Sequence, residues 1–205
     1  MSLVVYKLGG SVAFPAQGLN PKAVEFLKSL QAGKAAVVVG GGALLREYLK
    51  PLRSRFNQSF LDTIGIKFSR INAFVLAAHL KEGLYVETLE DAKRTVAMGK
   101  IPFMGGLAPG QSTDAVAAEL AEYLEAEELR VYTNVDGVYD KDPRKHPDAK
   151  KFSKLSYQEL LELVLPYSSK AADYPIFDFV AAKVIQRSAI KTIIGSLDGE
   201  GTIIG

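Results

Sequence analysis

Residues 35–50 read AAVVVGGGALLREYLK. Ala35 to Val39 is an unbroken apolar run, the pattern of a strand buried on both faces of a parallel sheet. From about Ala43 the apolar residues recur at helical spacing, and Pro51 ends or kinks that helix. Gly40, Gly41 and Gly42 stand between the two elements. Consecutive glycines are entropically costly, so something must approach this turn closely enough to exclude side chains. Strand, glycine turn and helix form one unit of an α/β fold, and the rest of the chain repeats it.

Upstream, Leu3 to Leu8 is a β-rich run that stops at Gly9-Gly10-Ser11. Asn20-Pro21 reads as N-cap and first residue of a helix carrying Val24, Leu27 and Leu30, with Gly33 as its stop. Downstream, a long helix fits Ser59 to Leu80, with His79 on its face, and Tyr85-Val86 is a short strand. Thr88 caps a helix that Gly99 closes. Ile101 to Met104 is a strand ending in Gly105-Gly106. Thr113 to Leu124 is a helix with an alanine-rich inner face, and Leu129 to Thr133 is a strand. Ser156-Tyr-Gln-Glu159 is a capping box for a helix through Leu165. Ile176 to Arg187 is the last helix, and a short turn joins strands Lys191–Ile194 and Thr202–Ile204. The β-α alternation predicts a three-layer α-β-α sandwich around a central, mainly parallel sheet. No linker interrupts it, so residues 1–205 are expected to form a single domain.

With 205 residues, 48% hydrophobic and 23% charged, the composition is that of an ordinary globular chain. A net charge of +2 gives no general attraction to nucleic acid or to an anionic membrane, so any anion must be bound locally. The absence of cysteine removes disulfides and thiolate metal sites. The N-terminal MSLVVYKLGGS is too briefly apolar for a signal peptide or a membrane span, and a cytoplasmic location is expected.

In parallel α/β sheets ligands gather at the carboxyl ends of strands. Here those ends carry Lys7-Leu-Gly9-Gly10-Ser11, Gly40-Gly41-Gly42, Gly105-Gly106-Leu-Ala-Pro-Gly110-Gln-Ser-Thr-Asp114 and Thr133-Asn-Val-Asp136-Gly137-Val-Tyr139-Asp-Lys-Asp142. Glycines before a helix expose backbone N–H groups at the positive end of its dipole, an arrangement that binds phosphate. One such turn is ordinarily just a turn; several in one domain point to a phosphate site. Neither the P-loop pattern nor the dinucleotide fingerprint is present. The acidic run after Thr133 lacks the closing glutamate of a calcium loop, and neither His79 nor His146 has a partner at metal-ligand spacing.

Taken together, these strand ends resemble the amino acid kinase superfamily. The stretches Asp62-Thr-Ile-Gly65-Ile-Lys-Phe-Ser-Arg70-Ile-Asn72-Ala73 and Asp178-Phe-Val-Ala-Ala-Lys183 narrow the resemblance to archaeal-type uridylate kinases, over nearly the whole chain. The resemblance implies transfer of the γ-phosphoryl group of ATP to UMP with Mg²⁺ and no covalent intermediate, in a homo-hexamer built from dimers. By the same match Lys7, Asp178 and Lys183 would be catalytic, with Asp178 orienting the cationic groups and Mg²⁺. Gly9, Gly10, Ser11, Gly42 and Arg46 would hold the ATP phosphates, and Thr133, Asn134, Tyr139 and Asp142 the rest of ATP. Gly41, Asp62, Arg70 and the run Leu107, Ala108, Pro109, Gly110, Gln111, Ser112 and Thr113 would bind UMP. Plainer readings remain beside these: Asp62 as a helix N-terminal charge, Lys183 as an exposed helix lysine, Asp142-Pro143 as a turn.

The chain departs from that pattern in places. Leu107 stands where a threonine is common, residues 170–177 lack the usual glycine and serines, and the two last strands join without an intervening helix. Related enzymes acting on isopentenyl phosphate or fosfomycin place a histidine beside the second glycine cluster, where Val39 stands here. Acetylglutamate kinases carry aspartate at the place of Asn134. A noncatalytic binding or storage protein on the same fold is the alternative from another class. The long helix carries Ile64, Phe68, Ile71, Val75 and Ala78, an apolar surface suited to pairing with its own copy.

Overall fold

The computed structural model describes residues 2–167 and 177–205. In chain order its elements are β1 (Val4–Leu8), α1 (Gly10–Ala13), α2 (Pro21–Lys28), β2 (Ala35–Val39), α3 (Gly42–Leu49), α4 (Gln58–Ala77), β3 (Gly83–Tyr85), α5 (Leu89–Ala97), β4 (Ile101–Met104), α6 (Thr113–Tyr123), β5 (Glu128–Tyr132), β6 (Lys154–Leu155), α7 (Tyr157–Val164), α8 (Phe179–Arg187), β7 (Lys191–Gly195) and β8 (Thr202–Ile204). The strands form one sheet in the order β3-β4-β2-β1-β5-β7-β8-β6. Every pairing is parallel except β7 with β8, which a short turn makes antiparallel.

All five residues of β2 are buried. The two-residue period of the strand sorts them between two cores. Ala36 and Val38 join Val5, Met104, Leu129, Val131 and Ile194 beneath α6 and α8. Ala35, Val37 and Val39 join Leu8, Phe103 and α4's Ala73 and Leu76 on the other face. In α6, Ala115, Ala117, Ala118 and Ala121 are fully buried; methyl-sized side chains let this helix lie close to the sheet. The same parity sends Lys7, two residues after Val5, toward α6.

Local signals account for most boundaries. Asn20 accepts from the backbone of Lys22 with Pro21 at the first helical position. Thr88 caps α5, and Ser156 and Glu159 form the capping box of α7. Some boundaries differ from expectation, and β3 runs Gly83–Tyr85 instead of Tyr85-Val86. Helix α2 ends at Lys28, and Gly33, at φ +73°, serves the turn into β2 instead. His79 follows the end of α4 rather than lying on its face. Helix α8 starts at Phe179, with Asp178 as its N-cap, because the aspartate side chain takes up a first-turn N–H. Strand β6, two residues long, is too short to register as a hydrophobic pattern. Ile176 and residues 170–176 of the altered stretch lie outside the described residues. Among the described residues no helix is long and apolar enough to cross a membrane.

The reason for the glycine turns is steric. A Cβ on Gly10 would stand 2.0 Å from the amide nitrogen of Gly42, and one on Gly40 would stand 2.6 Å from the nitrogen of Gly10. The ends of the neighbouring strands β1 and β2 therefore meet backbone to backbone. Gly42 also has φ +86°, a conformation that side chains resist. Gly99, at φ +70°, has nothing within 4 Å of its would-be Cβ.

At the opposite ends of the strands, Glu128 ties β5 to β7. Its carboxylate is 2.7 Å from Lys191 and also bonds Arg130. Burial pushes its pKa up, but the bonds from Lys191 and Arg130 outweigh burial and hold it below the ordinary 4.5. A depressed carboxylate stabilises above its unfolded pKa and loses that contribution as pH falls through the folded one. Two outcomes are expected in urea denaturation. Gly10→Ala costs about 3 kcal/mol or more by overpacking, whereas Gly99→Ala costs about 1 kcal/mol from φ alone; equal losses would contradict the contact. Glu128→Gln is less stable than the parent at neutral pH, and the gap closes as pH drops below about 4.5; a constant gap would contradict the linkage.

Candidate active site

The carboxyl ends of β1, β2, β4 and β5 lie side by side in the sheet, so their glycine-rich exits converge. A cleft of about 230 Å³ opens there. Its floor includes Gly41 and Gly106, its walls are Leu45 and Leu49 of α3 and Leu61, Asp62, Gly65, Ile66 and Ser69 of α4, and Gln111 and Thr113 close one side. The motifs thus bring Gly41, Asp62, Gln111 and Thr113 to one cavity from distant parts of the chain. Gly65 leaves room there: a Cβ on it would meet only the end of Leu45, at 3.7 Å.

Asp62 bridges the mouth of the cleft. One oxygen accepts from the Gln58 amide at 2.7 Å and the other from the backbone N–H of Gly110 at 2.8 Å. A helix residue thereby secures the loop between β4 and α6, where Gly110 adopts φ +78°. Within that loop Ala108 and Pro109 are exposed, and Leu107 packs on the core instead. Gln111 donates to Glu119 at 2.6 Å. Ser112 supplies the N-cap of α6 and Thr113 its first residue. Arg70 does not line the cleft. Its Nε donates to the carbonyl of Gly106 at 3.1 Å and its guanidinium pairs with Glu87. Glu87 also accepts from Tyr85, whose phenol burial and that bond push up to about 12.

Beside the cleft, Lys7 meets Asp114. Lys7 Nζ stands 2.8 Å from Asp114 Oδ1, with the two side chains 11% and 21% exposed. That oxygen is fully buried and no donor is aligned on it as a hydrogen bond, so attraction of opposite charges is what holds the contact. Asp114, in the first turn of α6, is also favoured by the positive end of that helix. Sequence motifs include Asp114 without giving it a role. The readable signal was the parity of β1, which turns Lys7 toward α6, combined with an acidic first turn. Next to this pair, Arg46 of α3 donates to the Ser11 hydroxyl across the touching Gly9-Gly10 and Gly40–Gly42 turns.

The remaining candidates sit apart from the cleft lining. Thr133 continues the β5–β7 ladder to the carbonyl of Gly195 at 2.7 Å, and its hydroxyl accepts from Val135. Asn134 is exposed. Tyr139 donates to Asp136 at 2.8 Å; with Lys151 this holds the Asp136 carboxyl below its usual range. Asp142 is buried and accepts from the backbone and guanidinium of Arg144 at 2.9–3.0 Å, as the turn reading of Asp142-Pro143 requires. Asp178 accepts from Ala181 N at 2.9 Å as the α8 cap. Lys183 is exposed, over the ring of Phe179. Among the described residues no group of three or more metal-ligating side chains could hold an ion by itself.

Such a site, with a buried lysine and backbone-lined turns around a cleft of mainly apolar and glycine lining, suits a phosphorylated ligand. Comparison with known proteins agrees. Residues 2–196 match the model of the amino acid kinase family. A uridylate kinase of Thermococcus sibiricus is 43% identical, over 98% of this chain and 92% of that protein. One of Pyrococcus abyssi is 44% identical, over 95% and 91%. The crystal structure of uridylate kinase from Archaeoglobus fulgidus superposes with a TM-score of 0.80 at 34% identity, over 99% of this chain and all of that one.

The ion pair is measurable in a double-mutant cycle of Lys7→Met and Asp114→Asn. Asp114→Asn, which leaves Lys7 with no counterion, is expected to cost about 2–3 kcal/mol, and the double variant less than the sum of the singles. Additive losses would remove the coupling.

Proposed function

The chain belongs to the amino acid kinase family, and from that membership we propose that it is a uridylate kinase, transferring the γ-phosphoryl group of ATP to UMP to give UDP and ADP. One observation carries the reading. The cleft gathers Gly41, Asp62, Gln111 and Thr113, of which Gly41 belongs to the second glycine turn and Thr113 adjoins Asp114, the partner of Lys7. An acceptor held in that cleft would present its phosphate to a donor held over Gly9, Gly10, Ser11 and Gly42.

Phosphoryl transfer asks a protein chiefly for alignment and for neutralisation of charge spread over the transferring oxygens. Lys7 supplies positive charge at the point of transfer, and Asp114 keeps its ammonium aimed. Arg46, held by Ser11, clamps the donor phosphates. Asp62 accepts from the ribose hydroxyls of UMP, exchanging its bond to Gln58 for one to substrate. Thr113 and the loop before it enclose the UMP phosphate at the N-terminus of α6. Thr133, Asn134, Tyr139 and Asp142 shape the adenosine side. Asp178 and Lys183 complete the catalytic set from α8.

Mg²⁺ fits as an ion carried by the nucleotide, since it prefers phosphate and water ligands to an all-protein cage; Asp178, with one oxygen engaged in the cap, is the protein group that would reach it. Bound there, Mg²⁺ would neutralise charge on the β- and γ-phosphates. The transfer is direct and in line, with no phosphorylated enzyme.

We further read residues 1–205 as one domain acting in the cytoplasm on the route to CTP, and the working form as a homo-hexamer of three dimers. The exposed side of α4 supports assembly: Phe60 is 46%, Ile71 60% and Phe74 61% exposed. Of the residues expected on that face, Ile71 and Ala78 are exposed, while Phe68 packs on Tyr48.

The deciding experiment is an ADP-coupled assay with ATP, Mg²⁺ and a panel of nucleoside monophosphates, isopentenyl phosphate and fosfomycin. UMP is expected to give the highest kcat/KM. Background rates with UMP would remove the reading, and a faster non-nucleotide acceptor would replace it. Asp62→Asn is expected to raise the KM for UMP about tenfold or more, the weight of a charge-assisted hydrogen bond; an unchanged KM would displace Asp62 from the acceptor site.

A further inference from the structure

The two glycine turns that border the cleft are both held by the same helix. On one face of α4, Ser69 lies seven residues after Asp62 and Asn72 three residues after that, spacings that align side chains along a helix. The Ser69 hydroxyl accepts the N–H of Gly106 at 2.8 Å and donates to the carbonyl of Ile66 at 2.8 Å. Ser69 is 1% exposed, so this hydroxyl has no water to fall back on. The Asn72 amide donates to the carbonyl of Gly40 at 2.9 Å. Gly40 is the residue pressed against Gly10, and Gly106 is the floor of the cleft beside Ile66.

We propose that Ser69 and Asn72 are positioning residues that set the separation between the donor-side turn at Gly40–Gly42 and the acceptor-side turn at Gly105–Gly106. The proposal rests on the phosphoryl-transfer reading of this cleft. The Gly10 contact locates the first turn against β1 and the Arg70 bond to the Gly106 carbonyl steadies the second, but among the described residues only Ser69 and Asn72 grip both turns from adjacent positions on one helix face. A helix that grips one through a carbonyl and the other through an N–H fixes their distance directly. Neither side chain needs to touch a substrate. Their action is on alignment, to which in-line transfer is steep: a misplacement of about 1 Å can cost about 100-fold in rate. Because glycine turns have no side chains of their own to lock them, the lock comes from the neighbouring helix.

Shape-conserving variants test this. Ser69→Cys keeps the volume and weakens the acceptor. Asn72→Asp keeps the shape and, when ionised, has no proton for the Gly40 carbonyl. Both are expected to lower kcat at least about tenfold while the KM values for ATP and UMP stay within about threefold. For Asn72→Asp the rate relative to the parent should rise as pH is lowered from about 8 to about 5.5, because a carboxyl facing a carbonyl has a raised pKa and its protonated form donates again. Amide hydrogen exchange on Ser69→Cys should show faster exchange at Gly106 with the rest of β4 unchanged.

Unchanged kcat in both variants, losses confined to KM, or a flat pH ratio for Asn72→Asp would overturn the positioning role. A parent protein that makes no UDP from UMP would overturn the functional reading instead. In that case the exchange measurement still decides the tether, because retained protection at Gly106 in Ser69→Cys would overturn it.

Discussion

The contact between Gly10 and the Gly40–Gly42 turn governs the site. Two parallel strands exit the sheet side by side, and a single methyl group at Gly10 or Gly40 would overlap backbone of the other turn. Close approach of this kind leaves amide groups, not side chains, as the surface above β1 and β2. A surface built of backbone and a tight strand–helix turn are therefore one structural solution. The glycines serve packing first, with the N–H groups of Gly9 and Gly40 taken up by the carbonyls of Tyr132 and Leu8.

Charge is added to this neutral frame from the other face of the sheet. The two-residue period of β1 sends Lys7 to the α6 side, where Asp114 in the first turn of that helix receives it. A lone ammonium at this depth would be costly, whereas one beside a carboxylate at a helix N-terminus is tolerated. The arrangement keeps one positive charge fixed at the edge of the cleft. Asp62 secures the loop between β4 and α6 from across the same cleft.

Much of the fold was readable from local pattern. The apolar run of β2, the caps at Asn20, Thr88 and Ser156, and the stop at Gly99 each have a physical cause that needs no tertiary context. Strand β6 and the true start of α8 were not readable in that way. The first is held by pairing with β8 and not by its composition, and the second depends on which side chain takes up a free N–H. In the site, motif spacing found the glycine turns, Asp62 and Lys7. It gave no role to Asp114, Ser69 or Asn72, whose contacts with Lys7, Gly106 and Gly40 are made across space. The side chains of Asp142 and Arg70, which the resemblance places at the ligands, engage Arg144 and the Gly106–Glu87 pair. Such engagements cannot be inferred from position in the chain.

Gly65 differs from Gly10 and Gly40 at the strand ends. It lies inside α4, where alanine would make a helix more stable by roughly 0.5–1 kcal/mol, and its backbone does not require glycine, since only the tip of Leu45 lies near. What its missing side chain provides is volume in the cleft. A side chain at Gly10 or Gly40 would strike backbone of the neighbouring turn, whereas one at Gly65 would extend into the cavity. The frame of turns is thus mechanically constrained, while the volume of the cleft is open to change at one position on a helix face.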